Sequence, residues 1–291
     1  MLLRICALAL AVLTAASAYA ADPMKCLLID GRNNHDWKST TPILKKALED
    51  SGLFTVDVAT APENGKDVST FAPTFADYKV VVLNYNDMKD LWSEATRKAL
   101  VDYVEAGGGL VAVHAANNAF PKWPEYNEMI GLGWRDNKFG DRLVLDDAGK
   151  PVRTPKGEGP GAGHGPQHAF EVIIRQPEHP IVAGLPTAWL HASDELYHGQ
   201  RGPATGMEIL ATAWSDKEKG GTASHEPMIW VIPRGKGRVV TNVMGHSVGA
   251  MKCVGFQTTL TRGAEWAATG TVTQTKTPEK FPTKEKTSAV E

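Results

Sequence analysis

Cysteine is scarce in this chain, with three residues among 291. The three form no C-x-x-C motif, so we do not expect a zinc site built from thiolates. Cys6 lies in an N-terminal segment that we expect to be removed, which leaves Cys26 and Cys253. These two could pair in an oxidising compartment. Because Cys26 lies in an apolar, strand-like run, two buried free thiols are an equal alternative.

Clusters of basic residues are also lacking. The formal net charge is −2 at pH 7, and lysine and arginine form no continuous stripe. Nucleic-acid-binding proteins usually carry a basic patch that follows the phosphate backbone. Nucleic acid is therefore not expected as a partner.

Long apolar segments are lacking as well. The apolar run over residues 5–13 is too short for a bilayer span, which takes roughly 20 residues. It follows Arg4 and precedes the small-residue sequence AYA, a pattern typical of a secretory signal peptide cleaved after Ala20. We therefore expect residues 1–20 to be a signal peptide, the mature protein to be periplasmic or secreted, and no membrane span after cleavage. A retained N-terminal anchor is the alternative.

What the sequence does contain is an alternation of strand-like and helix-like segments. The strand-like runs cover residues 25–31, 54–60, 78–85, 109–116, 170–176, 208–214, 227–233 and 237–245, and the helix-like segments cover 40–52, 93–109 and 255–270. This order predicts an α/β domain over residues 21–272, with a mainly parallel central sheet covered on both faces. Residues 149–168 are rich in glycine and proline and predict a long loop. Residues 273–291 carry few apolar side chains and predict a disordered tail.

Three of the nine histidines follow strand-like runs directly or within a few residues. They are His35, His114 and His246. Because ligands of an open parallel sheet bind beyond the carboxyl ends of its strands, we expect these three side chains to share a pocket. Other candidates lie in the segment HASDELYHGQR and in the glycine-rich loop; they are Asp194, Glu195, His198, Arg201, His164 and His168.

Imidazoles and carboxylates suit general acid–base catalysis near neutral pH. Asn33, Asn34, Asn117 and Asn118 lie beside these histidines, and their amides could recognise sugar hydroxyls. Turn formation is an equally good explanation of these asparagines. Histidine with glutamate also fits a Zn²⁺ site, so a bound metal stays open, and no other cofactor is expected.

Several segments together resemble the ThuA-like, or trehalose-utilisation, family. They are DGRNNHDWKSTTPILKKALE, GGGLVAVHAANNAF, HPIVAGLP, SDELYHGQRGP, HEPMIWVIPRGKGRVVTNVMGHS and GFQTTLTRGAEWAATG, in order along residues 25–272. The resemblance implies a flavodoxin-like three-layer sandwich, similar to class I glutamine amidotransferases. Those enzymes carry a nucleophilic cysteine where this chain has His114, so amidotransferase chemistry is not expected here. The resemblance also implies trehalose-like disaccharides and their 3-keto derivatives as substrates, with His35, His114, Glu195 and His246 at the motif positions.

The leading hypothesis is an exported enzyme that acts on a keto-sugar or glycoside by acid–base chemistry. His114 or Glu195 would be the base, and His246 its acid partner or an oxyanion stabiliser. A non-enzymatic carbohydrate-binding protein and a metal-dependent hydrolase are the alternatives. The expected partner is a small carbohydrate, and a homo-oligomer is possible.

Overall fold

The computed structural model describes residues 22–89 and 92–291, so the expected signal peptide lies outside the described residues. The strands β1 to β11 are Met24–Asp30, Phe54–Thr60, Val80–Leu83, Gly109–Val113, Arg142–Leu145, Pro151–Thr154, His168–Ile174, Ala188–Asp194, Glu208–Ser215, Ser224–Arg234 and Gly237–Asn242. The helices α1 to α5 are Trp37–Asp50, Glu94–Glu105, Pro124–Ile130, Val248–Met251 and Val254–Thr269. No helix of the described ranges is long and apolar enough to cross a bilayer.

The core of the sheet is parallel, as predicted. Its order is β2-β1-β3-β4-β11, and each neighbouring pair in this half is parallel. Side chains of successive residues point to opposite faces of a strand. Leu27 and Ile29 of β1 therefore pack in a core with α2 and α3, whereas Cys26 and Leu28 pack in a second core with α1 and α5. Two cores on opposite faces make the domain a three-layer α/β sandwich.

An antiparallel half extends this parallel core, and the strand-like runs did not predict that its strands would be antiparallel. Strands β10, β9, β7 and β8 follow β11 in that order, and all of their pairings are antiparallel. Strands β5 and β6 form a hairpin beside β10. Strand β6 lies inside residues 149–168, so the expectation of a loop without regular structure is wrong there. The turn of this hairpin is closed by Gly149, which has a φ of +77° and donates its N–H to the Asp146 carbonyl.

The helix ends show how local sequence sets the elements. Helix α1 begins three residues before the expected Thr40, because the Asp36 carboxylate accepts the N–H of Ser39 and caps the helix. Pro42 therefore lies inside α1 and not at its start. The Ser93 hydroxyl accepts the N–H of Thr96 and caps α2, and α5 ends at Gly270 in the left-handed conformation.

The sheet curves strongly. In the strand order, β8 is seven places from β1, which in a flat sheet would separate them by about 34 Å at the usual spacing of ~4.8 Å. Yet Glu195, directly after β8, lies 3.6 Å from His35, in the loop after β1. The curvature therefore brings the C-terminal end of the edge strand β8 close to the C-terminal end of β1.

The C-terminal segment packs along the domain, where the sequence led us to expect disorder. The Phe281 ring lies 5.5 Å from the Trp189 ring, and Leu190 donates its N–H to the Thr283 carbonyl at 2.7 Å. Farther on, Val290 donates its N–H to the Lys252 carbonyl. A few apolar contacts and main-chain hydrogen bonds hold a segment whose composition is otherwise polar. Cys26 and Cys253 are both buried and free.

Candidate functional site

His114 lies where β4 ends, and its backbone is strained. Strand β4 ends at Val113, and residues 114–118 form a 3-10 turn. The φ of His114 is +45°, a left-handed value that costs a non-glycine residue roughly 1–3 kcal/mol. This sharp turn after a buried strand points the imidazole out over the carboxyl edge of the sheet, so the predicted strand-end position is confirmed.

Four histidines surround the carboxylate of Glu195. Its Oε2 atom lies 3.6 Å from His35 Nε2 and 3.7 Å from His114 Nε2. Its Oε1 atom lies 3.1 Å from His246 Nδ1 and 3.4 Å from His164 Nε2. The structure thus brings together all four residues that we expected to be catalytic and adds His164 from the glycine-rich loop. We call His35, His114, Glu195 and His246 the histidine–glutamate cluster.

Hydrogen bonds fix the tautomers of three of these imidazoles. His114 Nδ1 donates to the Val243 carbonyl at 2.8 Å, and His164 Nδ1 donates to the Gly165 carbonyl at 2.7 Å. His35 Nδ1 donates at 3.1 Å to Asn33 Oδ1, which also accepts the main-chain N–H of His35. A neutral imidazole with a protonated Nδ1 has a lone pair on Nε2. The Nε2 lone pairs of His35 and His164 therefore face the carboxylate, whereas that of His114 accepts a hydrogen bond from the Tyr197 hydroxyl.

The fourth imidazole completes the ring around the carboxylate without a regular hydrogen bond. Among the described residues, His246 Nδ1 has no hydrogen-bond partner, although it lies 3.1 Å from Glu195 Oε1. Its side chain is 23% exposed and that of His164 is 34% exposed, whereas that of His114 is 3% exposed. The cluster is therefore open to solvent on the side of His246 and His164 and closed at His114.

Asp194 positions the cluster but does not face it. Its fully buried carboxylate accepts main-chain N–H groups of Glu195, Gly245 and His246 at 2.7–3.0 Å. His191 Nε2 donates to the same carboxylate at 2.8 Å. Burial alone would raise the pKa of Asp194, but these donors outweigh it and hold that pKa below its usual value. Asp194 therefore joins the chain after β8 to the chain after β11.

The charge of the cluster is concentrated on Glu195. Burial tends to raise the pKa of this carboxyl, but the imidazoles of His114 and His35, when they are protonated, have the larger combined effect and hold it far below its usual range. Burial lowers the pKa of His35. A carboxylate therefore faces imidazoles, at least one of which resists protonation.

The predicted asparagines make hydrogen bonds to other parts of the protein. Asn34 accepts a hydrogen bond from Asn86, and Asn117 donates one to Gln200. The Asn118 carbonyl accepts from Arg135 at 2.8 Å. Asn34 and Asn117 thus make long-range side-chain hydrogen bonds within the protein, and the role of these asparagines in sugar recognition stays a prediction.

Three further candidates stabilise the glycine-rich loop or lie outside the cluster. Arg201 is fully buried and donates to four carbonyls, those of Gly140, Pro155, Glu158 and Pro160. His198 Nδ1 lies 3.2 Å from the Ser215 hydroxyl. His168 Nδ1 donates to the Pro166 carbonyl. The structure does not bring these three side chains into the cluster.

Two aromatic residues border the site, and the sequence did not single out the first of them. The Tyr197 hydroxyl donates to His114 Nε2 at 3.1 Å, and the Trp134 ring lies 4.6 Å from the Tyr197 ring. Tyr197 stands two residues after Glu195 in the motif DELYHG, so alternation along an extended segment was a signal for it. Trp134 reaches the site through a loop.

Comparisons with known proteins agree with the geometry. The family model for ThuA, described as trehalose utilisation, matches residues 25–267. The crystal structure of a ThuA-like protein from Parabacteroides merdae is 45% identical, with a TM-score of 0.87 over 92% of this chain and 98% of that chain. A ThuA-like protein from Bacteroides uniformis shares the fold at 20% identity, with a TM-score of 0.60 over 89% of this chain and 98% of that chain. No curated protein matches the sequence. The chain therefore belongs to the ThuA family, whose description suggests a carbohydrate-related role.

Proposed function

We propose that this chain is an exported enzyme of carbohydrate catabolism that acts on a keto-sugar or glycoside at the histidine–glutamate cluster. The family supports a carbohydrate-related role, and the cluster supports proton transfer. The observation that carries the proposal is the set of fixed tautomers: His35, His114 and His164 each hold the proton on Nδ1 and present an unprotonated Nε2 inside a site that is open to solvent at His164 and His246. Unprotonated imidazole nitrogens are the usual general bases near neutral pH.

The proposed reaction begins with removal of a proton from the carbon next to the sugar carbonyl. A carbonyl at C3 of a sugar acidifies the neighbouring C–H, and His114 Nε2 accepts that proton while the electron pair moves to the carbonyl oxygen. Glu195 stabilises the resulting imidazolium, because its carboxylate lies 3.7 Å from that nitrogen. His246, on the open side, stabilises the oxyanion. Reprotonation gives an isomer, and loss of a substituent gives elimination.

Glu195 is a poor base in this site. Its pKa lies far below the usual range for a glutamate, so its carboxylate binds protons weakly. A general base is most effective when its pKa lies near the working pH. We therefore assign to Glu195 the stabilisation of charge, and to His114, whose Nδ1 is held by the Val243 carbonyl, the role of base.

The first experiment follows 3-keto-trehalose by NMR in D₂O with purified protein. We expect deuterium to enter the carbon beside the carbonyl, or the glycosidic bond to break. The variant Glu195→Gln should lose about 10²–10³-fold in rate, the usual range for removing a group that stabilises developing charge, while it keeps its fold. The control His225→Ala removes a histidine that contacts Asp147 and Trp214 and should keep the wild-type rate.

The outcomes separate the proposed function from its alternative. Line broadening of the sugar without exchange or cleavage would favour a carbohydrate-binding protein. Wild-type turnover in Glu195→Gln would refute the role given to Glu195. Export is tested separately, by identifying the first residue of the protein in a periplasmic or culture fraction; an N-terminus at Ala21 is expected, and an intact Met1 would contradict it.

A further inference from the structure

The spacing of the cluster matches the coordination sphere of a small metal ion. One ligand atom from each of the four side chains lies within 4.8 Å of the others. For ligands about 2.05 Å from a tetrahedral Zn²⁺, neighbouring ligand atoms are about 3.3 Å apart. The measured contacts to Glu195, from 3.1 to 3.7 Å, bracket this value. No ligand atom has to move by more than roughly an ångström to reach a common ion.

These same contacts are unfavourable without a positive charge between them. At 3.6 and 3.7 Å the Nε2 atoms of His35 and His114 are too far from Glu195 for hydrogen bonds. The unprotonated Nε2 of His35 faces the anion, and that of His114 accepts from the Tyr197 hydroxyl. A buried carboxylate that lacks a compensating charge is costly. Two added protons would remedy this only by charging imidazoles that are packed edge to face, with His35 and His114 centroids 4.7 Å apart. A single dication between the four side chains satisfies all of them at once.

We propose that His35, His114, His246 and Glu195 bind one first-row divalent transition-metal ion of the Zn²⁺ class. Three imidazoles and one carboxylate favour such ions over Mg²⁺ or Ca²⁺, which prefer oxygen ligands. This inference deepens the proposed function, because the ion would polarise the sugar carbonyl there, but the binding of the metal does not depend on which reaction occurs.

The groups behind the ligands support the same conclusion. Histidines that bind metals usually donate their second nitrogen to a carbonyl or carboxylate, which fixes the tautomer and the ring orientation. His114 and His35 both do so, through the Val243 carbonyl and the Asn33 amide oxygen. The exception is informative: His246 Nδ1, which faces Glu195, is the nitrogen that has no hydrogen-bond partner in the part of the chain described. An ion would supply that partner.

A metal site also divides the roles within the cluster. With the ion bound, His114 would be a ligand and could not also serve as the base proposed above, so proton transfer would pass to neighbours outside the coordination shell. His164 Nε2, 3.4 Å from Glu195 Oε1, and the Tyr197 hydroxyl, 3.1 Å from His114 Nε2, are the two candidates. His164 is the more exposed of the two and lies on the open side, where a sugar would enter.

The test measures metal binding directly. Tag-free protein is freed of metal with a chelator, dialysed, and titrated with Zn²⁺ by calorimetry; elemental analysis then gives the metal content after gel filtration. We expect one Zn²⁺ per chain. His246→Ala, whose side chain is partly exposed and therefore unimportant for the core, should weaken binding by at least about 100-fold, since changing even a supporting residue costs 10–100-fold.

Two further variants keep the result interpretable. Glu195→Gln retains the shape of the side chain but removes its charge, and it should also weaken Zn²⁺ binding. His225→Ala, the matched histidine control, should bind as the wild type does. Circular dichroism of each variant shows whether it is folded.

Each outcome bears on one claim. Folded wild-type protein that binds no Zn²⁺, Co²⁺ or Ni²⁺ would overturn the metal site; if it still exchanged protons with 3-keto-trehalose, the proposed function would stand. One Zn²⁺ per chain without any exchange or cleavage would support the metal site and overturn the proposed reaction. Equal Zn²⁺ affinity in the wild type, His246→Ala and Glu195→Gln would place the ion elsewhere and refute the ligand assignment.

Discussion

The buried pair of His191 and Asp194 should make the stability of the domain depend on pH. Both side chains are fully buried, and His191 Nε2 donates to the Asp194 carboxylate at 2.8 Å. Burial alone would lower the pKa of His191. The hydrogen bond to Asp194 and the contact with Cys253 outweigh it and raise that pKa to about 9. An ordinary histidine in the unfolded chain titrates near 6.5.

The direction of the effect follows from this difference. The folded protein holds the His191 proton between pH 6.5 and about 9, where the unfolded chain has released it. The stabilisation is therefore complete below pH 6.5 and is lost as the pH rises through about 9. At 1.36 kcal/mol for each pKa unit, the loss is on the order of 3 kcal/mol.

The assay is urea unfolding from pH 6 to pH 10 in a Cys253→Ala background, where the hydrogen bond to Asp194 remains but the fall should be smaller than in the wild type, because Cys253 also raises the pKa of His191. The thiol must be removed because His191 lowers the pKa of Cys253 against the raising effect of burial, and its titration would oppose that of His191. We expect the free energy of unfolding to fall over this range, and the fall to vanish when His191→Gln is added. The same pH dependence in both variants would refute the linkage.

Three other predictions concern packing and the loops. Leu100 is fully buried in α2, so Leu100→Ala should lower the free energy of unfolding in urea by about 2–5 kcal/mol, and a loss below 1 kcal/mol would contradict the described core. Arg135 holds the turn after β4 by donating to its carbonyls, so Arg135→Met should cost on the order of 3 kcal/mol and weaken Zn²⁺ binding; unchanged stability would show that these carbonyls find other partners. Deleting residues 279–291 removes Phe281 from Trp189 and should lower the Tm by several degrees in calorimetry, whereas a disordered tail would leave it unchanged.

The parallel core could be predicted from the sequence because its strands are buried on both faces. A short, continuous apolar run such as the one ending at Val113 indicates a buried strand. The ends of these runs then placed His35, His114 and His246 at the same edge of the sheet. The hairpin of β5 and β6 was not predicted because β6 is short and mostly exposed. Its sequence therefore lacks the alternation of apolar and polar residues that indicates a half-buried strand. The antiparallel direction of β10, β9, β7 and β8 is set by the connections between these strands, and the composition of a single strand does not indicate its direction.

Within the site, neighbouring residues of the same type proved to have different roles. Asp194 and Glu195 are adjacent acids, and the sequence suggested that both could serve the ligand. The extended backbone directs them apart, so that Asp194 meets main-chain N–H groups inside the protein and Glu195 meets the imidazoles. The same holds for Arg201, whose guanidinium is occupied by loop carbonyls. The role of each of these side chains therefore depends on its tertiary contacts, which the local sequence does not reveal.

The curvature of the sheet has a consequence for how the protein folds and unfolds. Because Glu195 follows an edge strand and His35 follows a strand of the parallel half, the cluster assembles only after both halves have formed and the sheet has bent. Contacts between segments so distant in sequence form late and slowly. A ligand in the cluster therefore connects the edge strand β8 to the parallel half of the sheet. Because it binds only the fully folded chain, it should raise the free energy of unfolding.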